Sequence, residues 1–184
     1  FSLRMSRTSE CWFENCRIPA ENRLPNASGL RAPLSCLSYA RVGIAWGVIG
    51  AAIDCYETAL AYAKAREQFG RPIGSFQLVQ QKLVWMAQEI TKAQLLALRL
   101  TRLMEAGTSR PAQISMAKRN NVWMALQCAR SARDILGAVG ITDRYSVIRH
   151  LMNLESVYTY EGTHDIHTLV VGHDITGIDA FGSS

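Results

Sequence analysis

Residues Ser75–Gly107 read SFQLVQQKLVWMAQEITKAQLLALRLTRLMEAG. Val79, Leu83, Met86, Ile90, Ala93, Ala97, Leu100 and Met104 recur there at steps of three and four, with charged and amide side chains between them. That spacing predicts one unbroken helix of about 30 residues, roughly 45 Å long at 1.5 Å per residue. Ser75 stands where an N-cap belongs, and Gly107 stops the pattern. A helix of this length with one apolar face needs packing partners along all of it, and the chain on either side supplies them.

Upstream, Val42, Ala45, Ile49, Ala52, Tyr56, Ala59 and Ala63 form a second long apolar face. Gly43, Gly47 and Ala51 make a stripe of small residues beside it, joined by Gly50. A glycine inside a helix costs about 1 kcal/mol relative to alanine, so something is expected close to that backbone, either a neighbouring helix or a ligand. Gly70 is the expected C-cap of this first helix. Downstream, Pro111 suits a helix first turn, and a third helix runs to Gly137. Its inner face carries Ile114, Ala117, Asn121, Met124, Cys128, Ser131 and Ile135, of which Asn121 and Ser131 need hydrogen-bond partners. Three long antiparallel helices with short connections predict a mainly α fold, an up-and-down four-helix bundle. Residues 145–154 and 163–172 supply two shorter amphipathic pieces for its fourth member.

Residues 1–20 alternate weakly (Leu3, Met5, Cys11, Phe13, Ile18), a strand pattern, and Pro19, Pro25 and Pro33 mark the following loop. The expected organisation is therefore residues 1–32 as the end of a β-domain with its linker, then 33–184 as the helical bundle. Two short strands cannot bury a core alone, so the chain reads as a piece of a larger protein.

The 184 residues carry a formal net charge of +5, with Lys and Arg scattered rather than clustered, which argues against a nucleic-acid arm. Five cysteines at irregular spacing offer no disulfide framework and no zinc set, and fit reduced thiols in an intracellular protein. His164, His167 and His173 lack metal-motif spacing and read as helix-surface histidines, so no metal is expected. The uncharged run from Val42 to Ile53 falls short of the roughly 18 residues of a membrane span.

The chemistry concentrates in Tyr160-Glu161-Gly162-Thr163-His164-Asp165-Ile166-His167. Thr159 and Tyr160 favour extended backbone, Gly162 permits a sharp turn, and Thr163 can cap a helix whose free N–H groups point forward. Glu161 at the mouth of that turn suits a general base beside an oxyanion or phosphate site, and suits a solvated turn residue equally. Arg66, Gln68 and Phe69 offer a guanidinium fork and an aromatic face at the end of the first helix. Gln77 opens the second helix; the turn Asp134-Ile135-Leu136-Gly137-Ala138 follows the third; Arg41 sits early in the first. Taken singly, each is explained by ordinary helix termini.

Together, their order resembles the C-terminal half of the acyl-CoA dehydrogenases. The residues carrying the resemblance are Ala40-Arg41, Arg66-Glu67-Gln68-Phe69-Gly70 with Pro72-Ile73, Phe76-Gln77, Ala132-Arg133-Asp134-Ile135-Leu136-Gly137, Gly140-Ile141 and Tyr160-Glu161-Gly162-Thr163. Ile148-Arg149-His150, Met152-Asn153-Leu154-Glu155 and Thr163-His164-Asp165-Ile166-His167 make it most similar to the glutaryl-CoA dehydrogenase branch. Ala138-Val139 departs from the Gly-Asn the family often carries.

The resemblance implies a flavoenzyme using FAD, assembled as a homotetramer and passing electrons to an electron-transfer flavoprotein. Its compartment would be the cytoplasm of a prokaryote or the mitochondrial matrix of a eukaryote. Glu161 matches the family's base, which removes the α-proton of an acyl-CoA while the β-hydride goes to flavin. The implied flavin contacts are Arg66, Gln68, Phe69, Gln77, Asp134, Ile135, Leu136, Gly137, Ala138, Thr163, Asp165 and Phe181. The implied substrate contacts are Leu34, Ser35, Cys36, Leu37, Ser38, Tyr39, Ala40, Arg41, Tyr160 and Gly162. A different short- or branched-chain acyl-CoA, or a non-catalytic helical assembly module, are the alternatives.

Overall fold

The computed structural model describes residues 1–180. Five helices carry the fold: α1 (Arg31–Ala65), α2 (Gln77–Glu105), α3 (Pro111–Leu136), α4 (Val147–Thr159) and α5 (His164–Thr176). Ala45 clusters with Leu100 and Ile114, and Trp46 Nε1 donates to Thr101 Oγ1 at 2.9 Å. Leu60 and Ala63, at the other end of α1, line one groove with Leu83 and Val84. These pairings make α1 and α2 antiparallel. Trp85 and Trp123 meet edge to face at 6.5 Å, and Lys82 pairs with Asp134, which reverses the chain again into α3. The predicted bundle is present, with its fourth member divided into α4 and α5.

α3 is the central strut and touches all four other helices. Its buried positions include Ile114, Ala117, Met124, Ala125, Cys128 and Ala132, and small residues there let neighbouring helices approach closely. Asn121 finds the partners its burial demands, donating to Ala45 O at 2.9 Å and Ala93 O at 3.2 Å, and so ties α1, α2 and α3 at one level.

Several boundaries differ from the sequence expectation. No strand forms over residues 1–20, whose exposed backbone has no sheet to pair with. Pro33 lies inside the first turn of α1, where its missing N–H would have had no helical acceptor. Gly70 does not cap α1. Ala65 ends that helix, and Phe69-Gly70 form the two-residue turn of a small hairpin between β1 (Glu67–Gln68) and β2 (Arg71–Pro72), with φ of 54° and 73°. Positive φ at both central residues matches the twist of a tight hairpin. Phe76, not Ser75, is the N-cap of α2; the Ser75 hydroxyl donates to Pro72 O instead.

By length and composition α1 would pass for a membrane-crossing helix, longer and more apolar than its uncharged run implied. Its Ala45, Val48, Ile49, Ala52, Cys55, Ala59 and Ala63 face is instead buried within the bundle, where α1 packs against α2 and α3.

Candidate functional site

Thr159 is the last residue of α4 rather than an extended residue, and the chain breaks sharply after it. Tyr160 is extended, Glu161 has φ 55° and Gly162 has φ 92°. Thr163 then caps α5 as its sequence foretold, its hydroxyl accepting from Ile166 N–H at 3.2 Å. A non-glycine residue in the left-handed region stores strain that its surroundings must hold.

Three elements do the holding. From α1, Arg41 Nε donates to Glu161 O at 2.8 Å. From α5, His167 Nε2 lies 3.2 Å from the same oxygen, while its Nδ1 lies 3.0 Å from Ser115 Oγ on α3. From α3, Lys118 Nζ donates to Val157 O and Tyr160 O, each at 2.9 Å, and to Gly162 O at 2.8 Å. Burial, then the charges of Lys118 and Arg41, push the His167 imidazole down to about 4, so it is neutral near pH 7. Facing a carbonyl, Nε2 must carry the proton and Nδ1 accepts from the Ser115 hydroxyl. Burial, with repulsion from Arg41, lowers the Lys118 ammonium to about 8, while Glu161 pulls the other way. Gly162 is required twice over: its φ is positive, and a Cβ there would stand 2.8 Å from His167 Nε2.

The carboxylate of Glu161 is left as the free group of this turn. Its Oε2 is buried without a hydrogen-bond partner. The backbone N–H of Glu161 has no hydrogen-bond acceptor among the described residues. An unpaired buried acceptor and an unpaired donor on one residue are costly in a purely structural turn and useful in a base that handles a polar reactant.

A groove of about 450 Å³ opens beside it between α1 and α4, with Ala40 and Tyr160 among its walls. Gly43, Gly47 and Ala51 line its floor, and beyond the adjoining turns of α1 no atom of the described residues lies within 4 Å of a Cβ built at Gly43 or Gly47. Among the described residues the small-residue stripe therefore faces an open groove. His150 on the opposite wall bonds Asp54 at 2.9 Å, and Ser146 donates to the same carboxylate oxygen.

The second group of expected residues meets at a separate groove of about 500 Å³. Arg66, Gln68, Ile135, Leu136, Gly137 and Ala138 all line it. The turn after α3 is a 3-10 stretch, Gly137–Ile141, and a Cβ on Gly140 would stand 2.5 Å from Arg133 O, so the turn folds tightly onto the helix end. Arg144, Tyr62 and Tyr145 complete the walls, and the two tyrosines meet edge to face at 5.9 Å. Two guanidinium groups, one amide and an apolar wall suit a pyrophosphate joined to a flat ring.

Other expected residues lie elsewhere. Phe69 is exposed and packs edge-on against Phe76, over which Arg71 sits at 4.4 Å. Gln77 is exposed at the start of α2, and Asp165 in the first turn of α5. Asp134 is held by Lys82 and Arg133, which lower its carboxyl below the usual range. Leu34, Ser35, Cys36 and Tyr39 are exposed; Leu37 and Ser38 are partly buried. Helical geometry sends consecutive side chains to different sides, so only Ala40 and Arg41 of that run reach the Tyr160–Glu161 turn. Phe181 lies outside the described residues.

One member of the site was misread from sequence and a second was missed. His167 is buried and central, not a surface histidine. Lys118, one of the basic residues scattered along the sequence and given no role there, is only 1% exposed. Its position four residues after Ile114 and three before Asn121, on the inner face, was the available signal. His164 is partly buried and stacks on Tyr158 at 4.5 Å, and His173 is the exposed member of the three. No cluster able to hold a metal occurs among the described residues.

Residues 27–176 match the acyl-CoA dehydrogenase C-terminal domain, and the chain belongs to that family. A glutaryl-CoA dehydrogenase of Desulfococcus multivorans is 33% identical over 94% of this chain and 45% of its own length. A mitochondrial short/branched chain specific acyl-CoA dehydrogenase of Bos taurus is also 33% identical, over 89% of this chain and 38% of its own. The chain thus spans less than half of these curated relatives. Two solved structures of Mycobacterium smegmatis glutaryl-CoA dehydrogenase are similar in fold. One has 57% identity and TM-score 0.87, covering 89% of this chain and 42% of that one. The other, in complex with FADH2, has 50% identity and TM-score 0.88, covering 91% and 44%.

Proposed function

We propose that this chain is the base-bearing helical part of an FAD-dependent acyl-CoA dehydrogenase acting on glutaryl-CoA. The observation that carries the reading is Glu161: a carboxylate with a buried, unpaired oxygen on a backbone clamped in the left-handed region by groups from α1, α3 and α5. The Glu161 carboxylate takes the α-proton of the acyl thioester. Its backbone N–H donates to the thioester oxygen, which stabilises the charge that develops as the proton leaves. Arg41 and neutral His167 act on the carbonyl side of Glu161, so they orient the base without pairing its carboxylate.

The acyl chain occupies the groove floored by Gly43 and Gly47, beside Ala40 and Tyr160. FAD, when bound, would supply the acceptor for the β-hydride. Arg66 and Arg144 fit its pyrophosphate and the apolar wall of Ile73, Ile135 and Leu136 a flat ring. Similarity to the Mycobacterium smegmatis enzymes supports glutaryl-CoA, and with it loss of CO2 to give crotonyl-CoA. The equal identity of the bovine relative keeps a short- or branched-chain acyl-CoA as the second reading. Leu78, Val84 and Leu95, exposed along α2, fit burial in a homotetramer. An electron-transfer flavoprotein is the proposed acceptor, and five unpaired cysteines fit an intracellular compartment, cytoplasmic or mitochondrial.

The test is Glu161→Gln in the full-length protein. The variant should retain FAD yet fail to be bleached by glutaryl-CoA; bleaching at the normal rate would sink the assignment. Bleaching of the unaltered protein by isobutyryl- or butyryl-CoA but not by glutaryl-CoA would favour the second reading.

A further inference from the structure

Lys118 is an unusual residue to find in the middle of α3. It is 1% exposed, yet no carboxylate pairs with it among the described residues; its three N–H bonds go to the carbonyls of Val157, Tyr160 and Gly162. A buried ammonium is expensive to keep, and a methionine of similar length would fill the same space without that cost. The Val157 bond satisfies one of the carbonyls left free at the end of α4. The bonds to Tyr160 and Gly162 bracket Glu161.

The bond to Tyr160 O has a geometric consequence. All peptide bonds among the described residues are trans, so the C=O of Tyr160 and the N–H of Glu161 lie in one peptide plane and point in opposite directions. Holding the oxygen against α3 aims the Glu161 N–H away from α3. The next peptide is fixed by Arg41 and His167 on Glu161 O, and the one after by Lys118 on Gly162 O. Three successive peptide planes are thereby set, two of them by the same ammonium.

We propose that Lys118 is a positioning residue for the reaction: by anchoring the carbonyls on either side of Glu161 it aims the Glu161 N–H at the thioester oxygen of the acyl-CoA. This rests on the acyl-CoA dehydrogenase reading and adds to it the residue that orients the oxyanion donor. Lys118 touches neither substrate nor carboxylate base. The cost of burial and, after it, repulsion from Arg41, which lower its ammonium to about 8, are the price of a donor with three hydrogens directed at three carbonyls.

The experiment uses the full-length flavoprotein and a 3-oxoacyl-CoA. Such a thioester ionises at C2 but has no hydride to give, so its enolate absorbance reports the oxyanion site without turnover. In the unaltered protein the bound ligand should ionise at lower pH than free in solution. Lys118→Met should raise the bound ligand's pKa by about 1–2 units, and should lower kcat for the proposed substrate by about 100-fold with little change in KM, the scale of a lost oxyanion donor. Lys118→Arg should recover part of both. Asn121→Ala is the control for lost stability, since Asn121 also bonds two carbonyls from α3 but on the side of Ala45 and Ala93. It should lower Tm and leave the enolate pKa unchanged. If Lys118→Met does not accumulate folded, Lys118→Gln carries the same comparison.

A Lys118 variant that keeps the normal enolate pKa and kcat while losing Tm as Asn121→Ala does would overturn the proposal and leave the family reading standing. Failure of the unaltered protein to bind or ionise the 3-oxoacyl-CoA would instead strike the underlying reading, and this proposal with it.

Discussion

Arg41 Nε lies 2.8 Å from the carbonyl oxygen of Glu161, across 120 residues of sequence and from a different helix. The arginine thus grips the backbone of the proposed base rather than its carboxylate. Arg41→Met keeps the aliphatic stem and removes the donor, leaving His167 alone on that oxygen. Loss of one charge-assisted bond is worth about 1.5–3 kcal/mol, so kcat should fall roughly 10- to 100-fold. Arg41→Lys should not restore it, because a lysine lacks the directed Nε–H. Steady-state kinetics of the full-length protein check both.

Gly162 is intolerant of any side chain. With φ 92° and a built Cβ 2.8 Å from His167 Nε2, alanine must either unseat the histidine or distort the turn. Gly162→Ala should cost about 2–4 kcal/mol of stability, read as a lowered denaturant midpoint with unchanged slope.

His167 makes stability pH-dependent in a defined window. Its imidazole stays neutral in the fold down to about pH 4, against an ordinary value of 6.5. Between those values the unfolded chain binds a proton that the native chain refuses. The contribution is therefore present above pH 6.5, is lost as pH falls toward 4, and amounts to about 3 kcal/mol at most. The stability gap between the unaltered protein and His167→Gln should shrink from pH 7 to pH 4.5. A gap that stays constant would show that His167 is not buried neutral.

Cys55 and Cys128 are fully buried, and burial raises both thiols to about 12. Neither forms thiolate near neutral pH, so both should resist iodoacetamide until the protein unfolds. Peptide mass mapping before and after denaturation checks this.

Arg66, at the C-terminal end of α1, and Arg144, between α3 and α4, line one groove. Arg66→Ala should weaken retention of FAD on dialysis, and Arg144→Ala should do so comparably, although only the first stands within the Arg66–Gly70 motif. Unchanged flavin content in both variants would remove this groove from the cofactor site.

Local rules were readable wherever one residue or one period decided the outcome. The stripe from Val79 to Met104 announced α2, Pro111 the start of α3, and Thr163 the cap of α5. The weak alternation over residues 1–20 forms no strand here because a strand is a property of a pair, and no partner strand faces it among the described residues. Gly70 misled because one glycine signals both a helix end and a hairpin turn, and Arg71-Pro72 folding back on Glu67-Gln68 decides between them.

Sequence alone determined the bundle, the position of Glu161 at a turn before a capped helix, and the residues that mark the family. Those follow from interactions between neighbours within one or two turns, which the order of residues states directly. Tertiary structure decided which side of each helix faces the turn. It buried His167, read as a surface residue, and Lys118, to which the sequence assigned no role, and set Arg41 against Glu161. It also gathered Arg66 and the Ile135–Ala138 turn into one groove while leaving Gln77 and Phe69 outside it. Burial and long-range hydrogen bonds depend on how helices pack, and packing is a joint property of faces far apart in the chain.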